Sequence, residues 1–247
     1  MRYFVTLPLI AMSFFLSSNL VSQTFASDSK APTTLELFTS EGCSSCPPAD
    51  RFLSSLAQQD DPFSAVIPFA YHVDYWNYIG WEDRFSRAEY SQRQRRHARE
   101  GNTSQVYTPG FVVNNQEWRA WFRGDREIAQ NLGESGLLSA QLTKGFLEVE
   151  YSGHPEVEGP YLLNIAYLGM SITTQVKAGE NKNKTLQHDY VVLESFSQIS
   201  QGKRWQIKLD KPAEKGQKKT AIAIWISSTK SIDILQADAA LLEEGAF

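Results

Sequence analysis

Two thiols at the mouth of a helix are the residues of this chain best suited to chemistry. Cys43 and Cys46 are the only cysteines among 247 residues, and two serines separate them in Leu35-Glu36-Leu37-Phe38-Thr39-Ser40-Glu41-Gly42-Cys43-Ser44-Ser45-Cys46-Pro47-Pro48-Ala49-Asp50. Thiols at that spacing can close a small disulfide ring. Cys43, ahead of the first helical turn, would meet unpaired backbone N–H groups and the positive end of the helix dipole, which favour a thiolate. It would be the more exposed, attacking thiol; Cys46, inside the turn and shielded by Pro47, would resolve the mixed disulfide. A purely structural bridge would gain little, because so short a loop removes little chain entropy. A zinc site would need a second Cys-x-x-Cys or a His-x-x-x-His partner, which the chain lacks. A non-enzymatic soft-metal (copper) site using His72 or His97, and a redox-inert adaptor, are the alternative readings.

The elements that must position this pair follow from pattern. Thr34 to Thr39 is an apolar strand, Gly42 a turn, and Pro47-Pro48 falls where first-turn N–H groups have no partners in any case. Ala49, Phe52, Leu53 and Leu56 share one face of a short helix to about Gln58. Ala65 to Val73 is a second strand, with Pro68 arguing for an edge or a start at Phe69. If it runs parallel to the first, Asp74 and Trp76 reach the rim that holds Cys43. His72 reads as a satisfied core histidine. Asp83 to Glu100 is an arginine-rich helix, read as a solvated basic face. Thr108-Pro109 precedes a hairpin, Phe111 to Asn114 and Gln116 to Phe122, at a place suited to a cis proline. Asp125 caps a last helix through Leu132 and as far as Leu138.

A strand leading into Cys-x-x-Cys on a helix, then Thr-Pro before a β-hairpin, resembles the thioredoxin fold. The Leu35–Asp50 stretch, Tyr71-His72-Val73-Asp74-Tyr75-Trp76, Gln105-Val106-Tyr107-Thr108-Pro109, and Gly179-Glu180-Asn181 through Thr185-Leu186, His188 and Val191-Val192 are similar to a secreted thioredoxin-like family of unknown function, domain-of-unknown-function family 1223. The family supplies no activity. From thioredoxins at large, the resemblance implies that Cys43 attacks, Cys46 resolves and Pro109 is the cis-proline beside them, with Thr108 and Pro47 in support. Glu36 lies one residue out of register with thioredoxin's buried acid and is the candidate for its part. Ser44-Ser45 stands where thioredoxin has Gly-Pro, and Gly42 where it has tryptophan, so a reduction potential cannot be carried over. Asn183 stands where the narrow family commonly has glycine, which suits a left-handed backbone position.

From about Leu142 short β-branched and aromatic runs alternate with polar or Gly/Pro turns, the pattern of a β-sandwich. Ala237 to Glu244 is the exception, readable as a helix, and Lys177 to His188 reads as a solvated hairpin tip. The expected organisation is an α/β thioredoxin-like domain over 33–141 followed by a β-sandwich-like domain over 142–247. Residues 1–26 carry Arg2, an apolar run and Thr24-Phe25-Ala26, the marks of a secretory signal cleaved after Ala26. This predicts an exported, periplasmic or secreted protein with no stable membrane insertion after cleavage. Twenty-four basic against 28 acidic residues give a net charge of −4, a weak basis for nucleic-acid binding. Export also permits disulfides. The function expected is thiol–disulfide exchange with protein thiols or disulfides, or with a redox partner, and without a cofactor.

Overall fold

The computed structural model describes residues 22–200 and 202–247. It is a mostly β, mixed α/β fold with two α-helices among the described residues. The first half supplies β1 (Ser22–Ala26), β2 (Thr34–Thr39), α1 (Pro47–Leu56), β3 (Ile67–His72), α2 (Ala88–Glu100), β4 (Gly110–Val113) and β5 (Gln116–Glu117). The second supplies β6 (Leu138–Thr143), β7 (Phe146–Tyr151), β8 (Tyr161–Met170), β9 (Ile172–Gln175), β10 (Thr185–His188), β11 (Val191–Ser200), β12 (Arg204–Lys208), β13 (Lys219–Ser228) and β14 (Gln236–Leu241).

The expected boundary at 141/142 does not separate two sheets. One eight-stranded sheet, ordered β14-β13-β8-β11-β3-β2-β4-β5, contains strands from both halves. The seam is narrow: β11 meets β3 in parallel at Val191 opposite Ala70. That leaves one side of β3 free around Pro68, which therefore takes no ladder donor away. Strand β2 lies between parallel β3 and antiparallel β4, and all six of its residues are buried.

The seam strands are apolar on both faces because each faces a separate core. Along β13, Ala221, Ala223 and Trp225 join the core shared with β2, β3 and α1, while Ile222, Ile224 and Ile226 join a second core. The second core is closed by a four-stranded sheet, β1-β6-β7-β12. Its edge strand is Ser22–Ala26, the expected end of the leader, which pairs with β6, with Phe25 buried. Cleavage after Ala26 would remove that strand; residues 1–21 of the expected signal lie outside the described residues.

Other expectations yield to tertiary context. The expected helix after Asp125 is irregular chain: the Asp125 carboxylate accepts the Glu127 N–H and the Asn131 amide oxygen accepts the Gly133 N–H, forming local turns in its place. The expected helix over Ala237 to Glu244 is replaced by β14, Gln236–Leu241, whose alanines lie against β13. The arginine-rich helix starts at Ala88, and Asp83 is buried ahead of it. Arg93 is not part of a solvated face; it turns inward onto Glu36 at 2.6 and 2.8 Å.

Candidate functional site

The strand β2 delivers Ser40 to Cys46 onto the rim of the sheet, and α1 begins there. Cys43 and Cys46 are joined in a disulfide, their Cα atoms 5.4 Å apart. Cys46 is the residue before the first helical turn, and its carbonyl accepts the Ala49 and Asp50 N–H groups at 2.8 and 3.1 Å. The Cys46 N–H in turn reaches the Cys43 carbonyl at 3.2 Å. Exposure differs from expectation: both cysteines are buried, Cys43 at 1% and Cys46 at 0%, while Ser44 and Ser45 between them are exposed. The Ser45 hydroxyl lies 3.4 Å from the Cys43 sulfur.

Of the two residues expected at the rim beyond β3, Trp76 lies against the cysteine loop. The indole N–H of Trp76 donates to the Thr108 hydroxyl at 2.8 Å, and the Thr108–Pro109 peptide is cis with Pro109 buried. A Cβ on residue 42 would stand 3.1 Å from the Trp76 Cβ, which explains glycine before Cys43. Trp76 thus connects the Thr108 turn to the cysteine loop. Asp74 turns away toward Ser91, and Tyr78 is 82% exposed.

Glu36 does not play the part of a proton-holding buried acid. Burial works to raise its pKa, but the charges of Arg93 and His97 outweigh that and hold it down at about 2. His97 lies 3.2 Å from the same carboxylate, so it too is committed there. Asp50, four residues beyond Cys46 in the first turn of α1, is the acid with the opposite behaviour. Burial pushes its carboxyl up, against the pull of His188 and His72 and a hydrogen bond from Thr39 at 2.9 Å.

Beneath the disulfide loop lies a buried polar cluster that the sequence did not reveal. His72 Nδ1 and Asp83 Oδ2 are 2.7 Å apart, and both side chains are fully covered. Burial opposes a charge on His72, but Asp83 overcomes it and lifts the imidazole to about 9, so His72 is cationic at neutral pH. Asp83 also takes the Glu41 N–H at 2.8 Å. Glu41 accepts from Trp81 at 2.8 Å with one oxygen, and its other oxygen is 3.4 Å from His188, close enough for an ion pair yet not aligned as a hydrogen bond. The His72 and His188 rings stand 5.1 Å apart. Glu41 Oε1, Asp50 Oδ2, His72 Nε2 and both nitrogens of His188 are buried without a hydrogen-bond partner. Unmet polar atoms inside a protein are costly, and a group of them near the cysteine pair makes this a candidate functional site. Among the described residues, no three or more His, Cys, Asp or Glu side chains are arranged to hold a metal ion.

The Lys177–His188 segment is the other correction. Its tip folds onto the cysteine loop, where Asn181 is fully buried. The Asn181 amide donates to the Glu41 and Cys43 carbonyls at 2.8 and 2.9 Å, and Glu180 accepts the Ser44 N–H at 3.2 Å. Asn183 is left-handed, with φ 66°, as its place in the pattern predicted.

Fold and site together define a mixed α/β protein carrying a Cys-x-x-Cys disulfide at the start of a helix, over a buried acid–histidine cluster. The chain belongs to the family described as "Protein of unknown function (DUF1223)", whose model matches residues 34–227. No curated protein matches it significantly. Among solved structures it is similar to protein AGR_C_4864 from Agrobacterium tumefaciens, at 22% identity and a TM-score of 0.60 over 88% of this chain and 97% of that one. It is also similar to HBP35 of Porphyromonas gingivalis, at 15% identity and a TM-score of 0.50 over 88% of this chain and 77% of that one. At those identities the likeness speaks for the fold alone.

Proposed function

We propose that this chain is an exported thiol–disulfide oxidoreductase of thioredoxin-like fold, acting on protein thiols or disulfides through Cys43 and Cys46. The observation that carries the reading is the disulfide at the N-terminus of α1, set above buried polar atoms that have no other partners. The order β3-β2-β4-β5, with α1 between parallel β2 and β3, supports the fold assignment. The four-stranded sheet packed on β8 and β13 is the sandwich-like addition.

The chemistry follows from the positions. An external thiolate attacks the Cys43 sulfur over the exposed Ser44–Ser45 edge. The Cys43–Cys46 bond breaks, a mixed disulfide forms at Cys43, and the electron pair leaves on Cys46. A thiolate there is fully buried, so it takes a proton from the Asp50 carboxyl, which burial keeps protonated to higher pH than a surface acid. A second thiol then releases Cys43. This sequence oxidises a dithiol substrate; the reverse sequence reduces a disulfide substrate, with Asp50 accepting the proton from Cys46.

Thiol exchange of the reduced protein with a small-molecule disulfide tests the reading. Cys43→Ser should abolish exchange, and Cys46→Ser should accumulate mixed disulfides on Cys43, whose bound proteins identify the substrates. Alkylation that labels Cys46 faster than Cys43, or neither faster than an unstructured peptide cysteine, would sink it.

A further inference from the structure

We propose that the β9–β10 hairpin is a working part of the redox centre, with Glu180 and Asn181 as positioning residues that hold Cys43 within reach of Cys46. This rests on the oxidoreductase reading above. Consecutive hairpin residues grip the two ends of one peptide unit: Asn181 donates to the Cys43 carbonyl, and Glu180 accepts the Ser44 N–H. Asn181 also donates to the Glu41 carbonyl, so the peptide units on both sides of the Gly42-Cys43 step are tied to the same side chain. With its flanking backbone fixed, the Cys43 side chain keeps its direction.

The grip is built to last. Lys184 donates to the Asn181 amide oxygen at 2.8 Å, which fixes the orientation of the amide and strengthens its N–H donors. The hairpin is closed by Val176–Lys184 and Asn183–Val176 backbone bonds of 3.0 and 2.8 Å. In its loop Gly179 has φ +70°, and a Cβ there would stand 3.2 Å from the Trp81 Cβ. The hairpin is therefore seated on the same Trp81 that bonds Glu41.

The consequence is thermodynamic. In the oxidised state the covalent bond already ties the loop to α1, so the hairpin adds little restriction. In the reduced state that tie is gone, and the hairpin is what keeps the loop from spreading over more conformations. Removing the grip gives freedom to the dithiol and almost none to the disulfide. The effective concentration of one thiol at the other falls, and with it the equilibrium constant for ring closure.

Equilibration of the full chain in glutathione redox buffers, with the thiol fraction read by alkylation and mass, tests this. Asn181→Leu, which loses both backbone contacts, should lower the closure constant about tenfold, a rise of about 30 mV in reduction potential. Glu180→Ala, at an exposed side chain, should lower it about threefold. Glu180→Gln keeps an oxygen for the Ser44 N–H and should restore the wild-type constant. A merely structural role would lower the melting temperatures of oxidised and reduced forms equally and leave the constant unmoved, which would overturn the proposal. Glu180→Ala decides the matter should Asn181→Leu fail to fold. A wild-type pair that never equilibrates with glutathione would overturn both this proposal and the reading beneath it; an equilibrating pair with unshifted variants would overturn this one alone.

Discussion

Replacing Glu36 with glutamine separates the acid that holds the fold from the acid proposed to serve the cysteines. Glu36 lies in the middle strand of the first core, 1% exposed, and receives two bonds from Arg93 and one contact from His97. A carboxyl held at about 2 in the fold, against an ordinary 4.5, contributes about 3 kcal/mol at neutral pH. The folded value is the depressed one, so this contribution is complete above 4.5 and is lost as pH falls toward 2. Glu36→Gln removes it and leaves the Arg93 guanidinium buried against a neutral amide, at a cost of about 3–5 kcal/mol. Arg93 keeps its stacking on Tyr71 and Trp225, at 5.2 and 5.9 Å, so the expected result is a weakened fold and not an unfolded chain. Urea denaturation from pH 7 down to pH 2 measures both effects. The variant should be weaker at pH 7, and its stability should fall less steeply below pH 4.5 than that of the parent. Exchange at Cys43, measured per folded molecule, should be unchanged. A loss below about 1 kcal/mol at pH 7, or an acid limb identical to the parent's, would refute the reasoning.

Two further outcomes are expected. Asp50→Asn should slow exchange about 10²-fold or more by removing the proton carrier for Cys46; it should also stabilise the protein at neutral and alkaline pH. The sign follows because the folded pKa of Asp50 is raised: its contribution is full below 3.8 and declines as pH rises and the buried carboxyl ionises, a penalty asparagine does not incur. Thermal melts across that range, set beside exchange rates, check both halves, and an Asp50→Asn variant that exchanges at the parental rate would remove Asp50 from the mechanism. A chain beginning at Ser27 should be less stable than one beginning at Ser22 by at least the 3–5 kcal/mol typical of deleting a buried phenylalanine side chain, because Phe25 and the β1–β6 ladder are lost together; equal denaturation midpoints would show that β1 contributes nothing.

What could be read from the sequence was what a short stretch encodes by itself. The cysteine pair, the proline-tolerant helix start, Thr108-Pro109 and the left-handed Asn183 each depend on neighbours in the chain, and each is where the pattern put it. Periodicity failed where tertiary contact overrides it. Ala237 to Glu244 has a helix former's composition, but β13 offers it an edge, and burial against that edge outweighs propensity. The halves looked like separate domains because a composition change marks the boundary. A sheet can cross that boundary through one parallel contact, which leaves no local trace.

The site was half legible for the same reason, and the missing half gives it its character. Cys43 announces itself by spacing; Asn181, 138 residues later, is an asparagine in a charged hairpin until its amide is seen on the Cys43 carbonyl. Asp50 looked like an ordinary acid in the first turn of a helix, where the dipole favours its charge. Burial reverses that, outweighing the pull of His188 and His72 and the Thr39 hydrogen bond toward the charged form. The cysteine pair comes from one contiguous stretch, but what surrounds it comes from β3, from the Asp83 loop and from the β9–β10 hairpin. Long-range assembly explains why the seam between the halves matters although so little of it is hydrogen-bonded. The β11–β3 contact brings β10 and its hairpin to the rim where β2 ends, so the second half supplies His188, Glu180 and Asn181 to a centre whose sulfurs belong to the first.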